Sequence, residues 1–283
     1  MSSVDHYAVF GHPVKHSKSP CIHQLFAVQT GQTLEYAAQD VTQDAFRAVT
    51  DDFFAKGGKG LNCTVPLKEL AWKYAGRLTQ RARLAKAVNT LKREDDGGIS
   101  GDNTDGIGLV RDLTINHRVK LTDSRILILG AGGASRGIVG SLLECRPKQL
   151  VIANRTFSKA EIIIEEFSAL GAIAASRYPE LAGQQFDLVL NATSASLYAE
   201  LPPLPENLLS ESGSCYDLAY SAQQTPFVTW GLRNHAVKSL DGVGMLVEQA
   251  AEAFFAWRGV RPQTAEVIEY LNSERHPNTP DHC

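Results

Sequence analysis

Arg125-Ile-Leu-Ile-Leu-Gly-Ala-Gly-Gly-Ala-Ser135 runs from an apolar segment through a cluster of glycines into helix-compatible residues. The unbroken run Ile126 to Leu129 reads as a strand covered on both faces, as in a parallel sheet. Gly130-Ala131-Gly132-Gly133 then forms a turn, and a helix follows from about Ala134 to Leu143. Strand, glycine turn and helix in that order make a dinucleotide-binding site. Glycines let the backbone approach a pyrophosphate, and the helix N-terminus offers it unpaired N–H groups and partial positive charge. Ser135 takes the third small position, where Gly or Ala is usual. Alone, such a pattern is as readily an ordinary turn.

The context lies some twenty residues on. Gln149-Leu-Val-Ile-Ala-Asn154 reads as a second buried strand, ending in Asn154-Arg155-Thr156-Phe157-Ser158-Lys159. An NAD site usually carries a carboxylate here for the ribose 2′-hydroxyl, and an NADP site a cation for the 2′-phosphate. No carboxylate is present, whereas Arg155, Thr156 and Lys159 are. A guanidinium grips phosphate bidentately and Lys adds a point charge, so the reading favours NADP. Ser158 and Glu161 are also placed to cap the next helix, which does not compete with that role.

Composition bounds the rest. The 283 residues suffice for two domains, and 43% hydrophobic with 21% charged residues is ordinary for a soluble globular chain. A net charge of −3 gives no nucleic-acid footprint. No apolar run approaches the ~20 residues of a membrane span, and Met-Ser-Ser-Val-Asp-His lacks a signal-peptide core. The scattered Cys21, Cys63, Cys145, Cys215 and Cys283 have no metal-type spacing and suit reduced thiols in a cytoplasm. No metal is expected. The tail from Ser273 to Cys283, with its prolines and histidines, is expected to fray.

From the N-terminus, His6 to Phe10 reads as a strand running into Ser17-Lys18-Ser19-Pro20. Pro20 fits a first helical position with Ser19 as cap, and the helix continues from Cys21 to Gln29. Two hydroxyls, Ser17 and Ser19, thus crowd a helix N-terminus, a seat for a small carboxylate, unless Ser19 only caps. Leu34 to Asp40 reads as a strand and Asp44 to Ala55 as a helix. Pro66 starts another helix, running to about Tyr74, which puts Lys68 in the first turn. A cation there meets the positive end of the dipole, a poor seat that suits a proton-transferring group; the plain alternative is a solvated lysine. Ala87 to Leu91 reads as a strand carrying two polar residues, Asn89 and Thr90. After a hairpin at Asp95 to Gly98 comes Gly101-Asp-Asn-Thr-Asp105-Gly106, a turn-rich stretch in which Asp105 ends a strand or caps a helix over Ile107 to Leu113. Phe186 to Asn191 is a further buried strand ending in Ala192-Thr193-Ser194, where open parallel sheets place ligands. Leu201 to Pro205 reads as a loop, Ser214 to Leu218 and Ala236 to Leu240 as strands, and Leu246 to Trp257 and Gln263 to Leu271 as the last helices.

Taken together these motifs resemble the shikimate dehydrogenase family across nearly the whole chain. The matching pieces are Ser17-Lys-Ser-Pro20, Asn62-Cys-Thr-Val-Pro-Leu-Lys68, Ala87-Val-Asn-Thr90, Gly101 to Gly106, Gly130 to Ala134, Asn154-Arg-Thr156, Asn191-Ala-Thr-Ser194 and Asp241-Gly-Val-Gly-Met245 with Gln249. The resemblance implies an α/β protein of two domains. Residues 1–105 with 243–283 would form the α/β substrate domain, its C-terminal helices returning to it, and residues 106–242 a Rossmann-type NADP-binding domain. It implies reversible NADPH-dependent reduction of 3-dehydroshikimate to shikimate, in chorismate and aromatic amino acid biosynthesis. It assigns Lys68 and Asp105 as the catalytic pair. Ser17, Ser19 and Tyr220 fall to the substrate carboxylate, and Thr64, Asn89 and Gln249, with Asp105, to the ring hydroxyls. The cofactor set becomes Gly130, Ala131, Gly132, Gly133, Ala134, Asn154, Arg155, Thr156, Lys159, Thr193, Gly242 and Met245. The expected assembly is a monomer or homodimer with small-molecule partners, no nucleic acid and no membrane.

Three positions depart from the family pattern. Lys86 and Ser196 stand where Gly is common, and Lys159 where a second Arg of the phosphate clamp is usual. Two other readings compete: a quinate/shikimate dehydrogenase using NAD, and a nucleotide-binding regulator without activity. An acidic residue near Arg155 would favour the first, and loss of Lys68 or Asp105 the second. The sequence has neither feature.

Overall fold

The computed structural model describes residues 4–198 and 200–275. The tail from residue 276, including Cys283, lies outside them. Two compact units form among the described residues, one of residues 4–108 with 247–267 and one of 109–246 with 268–275.

The first unit opens with β1 (Asp5–Gly11), α1 (Ser19–Thr30), β2 (Leu34–Asp40) and α2 (Phe46–Ala55). It continues with β3 (Gly60–Cys63), α3 (Lys68–Tyr74), β4 (Arg77–Leu78), α4 (Gln80–Ala85), β5 (Thr90–Arg93) and β6 (Ile99–Asp102). The strands make one mixed sheet in the order β2-β1-β3-β5-β6-β4. β1 runs parallel to β2 and β3, and β5 is antiparallel to β3 and β6. Ala8, Phe10, Leu61, Cys63, Val88 and Leu91 form a core with Phe46 and Phe54 of α2 and Ala71 of α3. This layering sets the last residue of β3 just before Thr64 and pairs Asn62 with Thr90 across the β3–β5 ladder.

Next along the chain come α5 (Asp105–Arg111), a single wide helical turn over Asp112–Asn116, then β7 (Arg125–Leu129), α6 (Gly133–Glu144), β8 (Gln149–Ala153), α7 (Phe157–Phe167) and β9 (Ile173–Ser176). β10 (Phe186–Asn191), β11 (Leu209–Asp217), α8 (Pro226–Arg233), β12 (Ser239–Leu240), α9 (Val243–Arg258) and α10 (Ala265–Arg275) complete it. The second unit's strands are all parallel, in the order β9-β8-β7-β10-β11-β12. That is the doubly wound nucleotide-binding order, whose direction reverses between β7 and β10. Ile126 to Leu129 are fully buried, as a strand covered on both faces requires.

Several expectations are corrected. α1 begins at Ser19 with Lys18 as its flanking residue and no side-chain cap. The Ser17 hydroxyl instead accepts from the Ser19 N–H at 3.3 Å. α7 likewise starts at Phe157, so Ser158 sits inside the first turn and caps nothing, and Thr156, the flanking residue, makes no side-chain cap bond. The strands expected from Ala87 and Ala236 begin at Thr90 and Ser239. β4, α4, β9 and α8 come in addition to the elements read from the sequence. At the C-terminal end, Arg275 pairs with Asp241 and donates to the Ser221 carbonyl, and the residues from 268 group with the second unit. Among the described residues no helix is long and apolar enough to cross a membrane.

Candidate active site

In the first unit one cluster gathers Lys68, Asp105, Asn89 and Gln249 of the sequence-singled residues. Lys68 opens α3, and its backbone carbonyl accepts from Val88 N at 2.9 Å, tying the helix start to the segment before β5. Its ammonium donates to Asp105 Oδ2 at 2.5 Å, with the lysine about a quarter exposed and the aspartate nearly buried. Asp105 opens α5, where its N–H donates to Asn103 Oδ1 at 3.1 Å. Its second oxygen accepts from Asn89 Nδ2 at 2.9 Å, and the same amide reaches Thr104 Oγ1 and Gln249 Oε1 at 2.9 and 3.2 Å. Asn89 Oδ1 in turn accepts from Thr104 N at 2.9 Å. The carboxylate is thus held from both sides, and the lysine side chain that meets it keeps about a quarter of its surface exposed. Hydrogen bonds to charged groups contribute ~1.5–3 kcal/mol each, enough to fix the pair in one geometry.

Gln249 comes from α9, and Gly108 lets that helix close in. A Cβ on Gly108 would lie 2.7 Å from the Gln249 backbone nitrogen and Cβ, so no larger residue fits without moving the helix. Thr64 follows β3, its N–H bonded to the Phe10 carbonyl at 2.9 Å. Ser17 and Ser19 stand together at the start of α1, Ser19 nearly buried. Tyr220 belongs to the second unit, just past β11, where burial raises its phenol's pKa and the Arg275 charge opposes the rise.

The second unit carries the nucleotide signature. Gly130 ends β7 at φ +103°, a backbone conformation that favours glycine, and a Cβ there would lie 3.1 Å from the Ala192 carbonyl and Thr193 Cγ2. Added Cβ atoms on Gly132 and Gly133 would meet open space, leaving the helix start bare for a ligand. Ser135 is fully buried and its hydroxyl donates to the Gly130 carbonyl at 2.7 Å, so the departure from Gly or Ala ties down the turn. Asn154 Oδ1 accepts from Ala131 N at 3.2 Å and its Nδ2 donates to the Thr156 carbonyl at 2.8 Å. One side chain therefore fixes the glycine turn against the Arg155 loop. Arg155, Thr156 and Lys159 are exposed. Thr193 donates to Asn191 Oδ1 at 2.7 Å, while Gly242 N bonds the Ala219 carbonyl at 3.2 Å and Met245 N the Tyr216 phenol at 3.2 Å.

A residue overlooked in the sequence also faces this region. Arg177 follows β9 and lines one open cleft with Asn154, Arg155, Tyr178, Pro203 and Leu204. Its guanidinium lies 4.0 Å over the Phe157 ring and bonds Glu180 at 3.1 Å. Burial raises the Tyr178 pKa, and the nearby Arg155 charge opposes it. The sequence signal is weak, because β9 itself does not stand out.

Two of the three departures, Lys86 and Ser196, have local explanations. Lys86 ends α4 at φ +49°, a conformation glycine adopts more cheaply. Ser196 donates to Asp217 Oδ2 at 2.5 Å and accepts from Asn191 Nδ2 at 3.1 Å. Burial raises the Asp217 pKa against the lowering effect of its hydrogen bonds from Ser196, Thr225, Ala219 and Asn191.

Comparison with known proteins agrees along the whole length. Residues 9–91 match the profile of the shikimate dehydrogenase substrate binding domain, residues 113–201 that of shikimate / quinate 5-dehydrogenase, and residues 242–269 that of the shikimate 5′-dehydrogenase C-terminal domain. The NADP(+) shikimate dehydrogenase of Methylococcus capsulatus is 59% identical, covering 97% of this chain and 99% of its own. The structure of an Ael1 enzyme from Pseudomonas putida superposes with a TM-score of 0.90 at 50% identity, covering 94% of this chain and 98% of that one. Shikimate 5-dehydrogenase of Thermus thermophilus, solved with NADP(H) and shikimate, gives a TM-score of 0.85 at 30% identity, covering 96% of this chain and 100% of that one. With a relative 59% identical over 97% of its length, the chain belongs to the shikimate dehydrogenase family.

Proposed function

We propose that the chain is an NADP-dependent shikimate dehydrogenase, reducing 3-dehydroshikimate to shikimate and running the reverse, in the supply of chorismate and aromatic amino acids. The observation that carries the roles is the Lys68–Asp105 pair, held by Asn89, with the lysine partly exposed. When bound, NADPH supplies the hydride. A carbonyl oxygen that gains charge needs a proton, and the Lys68 ammonium gives it while stabilising that charge. Asp105 holds the ammonium in place and balances it. Ser17 and Ser19 anchor the substrate carboxylate with Tyr220, and Thr64, Asn89, Asp105 and Gln249 take the ring hydroxyls. Anchoring a non-reacting carboxylate converts binding energy into orientation of the ketone.

The cofactor fits the second unit by an observation of its own: the bare start of α6 after Gly130, locked by Asn154. In this reading Gly130 to Ala134 take the pyrophosphate, Arg155, Thr156 and Lys159 the 2′-phosphate, and Thr193, Gly242 and Met245 the remainder. Arg177 adds a second guanidinium to the cleft that Arg155 lines. Residues 1–105 with 243–283 act as the substrate domain and 106–242 as the NADP domain, in a cytoplasmic monomer or homodimer. The four cysteines among the described residues are free thiols, in keeping with that compartment. The test is product analysis: 3-dehydroshikimate incubated with NADPH should yield shikimate. Reduction of 3-dehydroquinate in preference would point to the quinate branch instead.

A further inference from the structure

In the second unit a buried tyrosine and a buried aspartate meet the turn that opens α9. Asp112, in the wide helical turn after α5, is fully buried, and its Oδ2 accepts from the Tyr216 phenol at 2.7 Å. Its Oδ1 accepts from Asn116 Nδ2 at 2.9 Å, with His117 Nε2 3.6 Å away. Tyr216, fully buried near the end of β11, accepts from Met245 N at 3.2 Å. A backbone N–H only donates, so the phenol oxygen takes the Met245 proton on a lone pair and gives its own proton to Asp112. Met245 stands in the first turn of α9, where N–H groups have no partner within the helix. Val243 N in the same turn is served by Asp241 Oδ1 at 3.2 Å. Two glycines let the turn pack this closely: a Cβ on Gly244 would overlap the Asp112 carboxylate, and one on Gly242 the Leu218 carbonyl.

We propose that Tyr216, oriented by Asp112, is a positioning residue for the nicotinamide riboside end of NADP: its phenol oxygen holds Met245 N–H and so sets the Gly242–Met245 turn. The inference rests on the reading of Gly242 and Met245 as cofactor residues. Doubly wound sheets bind a dinucleotide across the point where the strand order reverses, one mononucleotide to each half. Arg155 follows β8 on one side of the β7–β10 reversal, and Tyr216 lies near the end of β11 on the other. With the 2′-phosphate at Arg155 and the pyrophosphate at the glycine turn, the nicotinamide half falls to the β10–β11 side. Without the phenol oxygen, Met245 N loses its partner and the turn its fixed position. The glycine turn and the Arg155 loop keep theirs, because Asn154 ties them together. The effect therefore falls on the nicotinamide half of the cofactor and spares the adenosine half.

The experiment is titration calorimetry of the parent and Tyr216→Phe with NADP and with adenosine 2′,5′-bisphosphate, which carries the 2′-phosphate and no nicotinamide. Phe keeps the ring and removes only the hydroxyl. NADP affinity should fall roughly five- to tenfold, the scale of one hydrogen bond, while affinity for the bisphosphate stays within about twofold. A merely structural role would weaken both ligands alike. Amide hydrogen exchange gives a second reading: Met245 N–H should be protected in the parent, and should lose more protection in the variant than the core amides of β7 and β10. Unchanged NADP affinity, equal losses for both ligands, or an unprotected Met245 N–H in the parent each overturns the proposal. The last is read on the parent alone, should Tyr216→Phe not fold. A parent that binds neither ligand would instead sink the cofactor reading, so the two failures are distinct.

Discussion

In the proposed mechanism Lys68 supplies the proton and Asp105 holds it in position, and substitution at Lys68 tests that division. Lys68→Ala should lower kcat by about 10²-fold or more, the scale of lost acid–base help, with NADP binding intact. Near-parental turnover would remove Lys68 from the proton step. On the nucleotide side, Arg155→Ala should weaken NADP by roughly 10–100-fold, the scale of lost charge-assisted phosphate bonds, and leave NAD about unchanged. Equal losses for both cofactors would refute the clamp. Lys68, Asp105, Asn89 and Arg155 are legible because each stands in a short motif whose chemistry is local. The cap read at Ser19 is not made, since α1 begins at that residue and its N–H is served by the Ser17 hydroxyl. Tyr216 and Arg177 are not legible. A tyrosine in Ser214-Cys-Tyr-Asp reads as an ordinary strand residue, and only the fold brings it to Asp112.

Among elements, the strong signals are the uninterrupted apolar strands β7, β8 and β10. The misses are β9, whose Ile173-Ala-Ala-Ser is too small and short to stand out, and β4, two residues long. α8 is recoverable: Thr225 caps it, accepting from Val228 N at 3.2 Å, and Pro226 takes the first helical position. Helix ends also carry a stability prediction. Lys86 at φ +49° closes α4 in the left-handed region, so Lys86→Gly should stabilise by about 0.5–1 kcal/mol in denaturant melts. A destabilised variant would mean that the Lys86 side chain contributes more than its backbone costs. At the α5–α9 contact, Gly108→Ala should destabilise by about 1–3 kcal/mol and raise shikimate KM by shifting Gln249. An unchanged melting midpoint would contradict that packing.

For the molecule as a whole, the all-parallel sheet of the second unit is legible from the glycine turn outward, while the mixed sheet of the first is not. The β5–β6 hairpin follows from the turn at Asp95 to Gly98, but the antiparallel pairing of β5 with β3 is long-range and no short motif encodes it. The same unit buries His23 among Tyr36, Phe26, Phe254 and Trp257, and burial lowers its pKa from 6.5 to about 3. Below pH 6.5 the unfolded chain binds a proton that the folded one refuses, so stability falls as pH drops from 6.5 toward about 3. The loss from this group should approach about 1.4 kcal/mol per pH unit within that window, and His23→Phe should flatten it. Parallel pH–stability curves for parent and variant would show that His23 is not the group responsible. NADP-dependent oxidation of shikimate is tested by initial rates of nicotinamide reduction with shikimate and either NADP or NAD. Rapid reduction of NADP with little of NAD is the expected result. Equal or faster reduction of NAD, or no reduction of either, would contradict it.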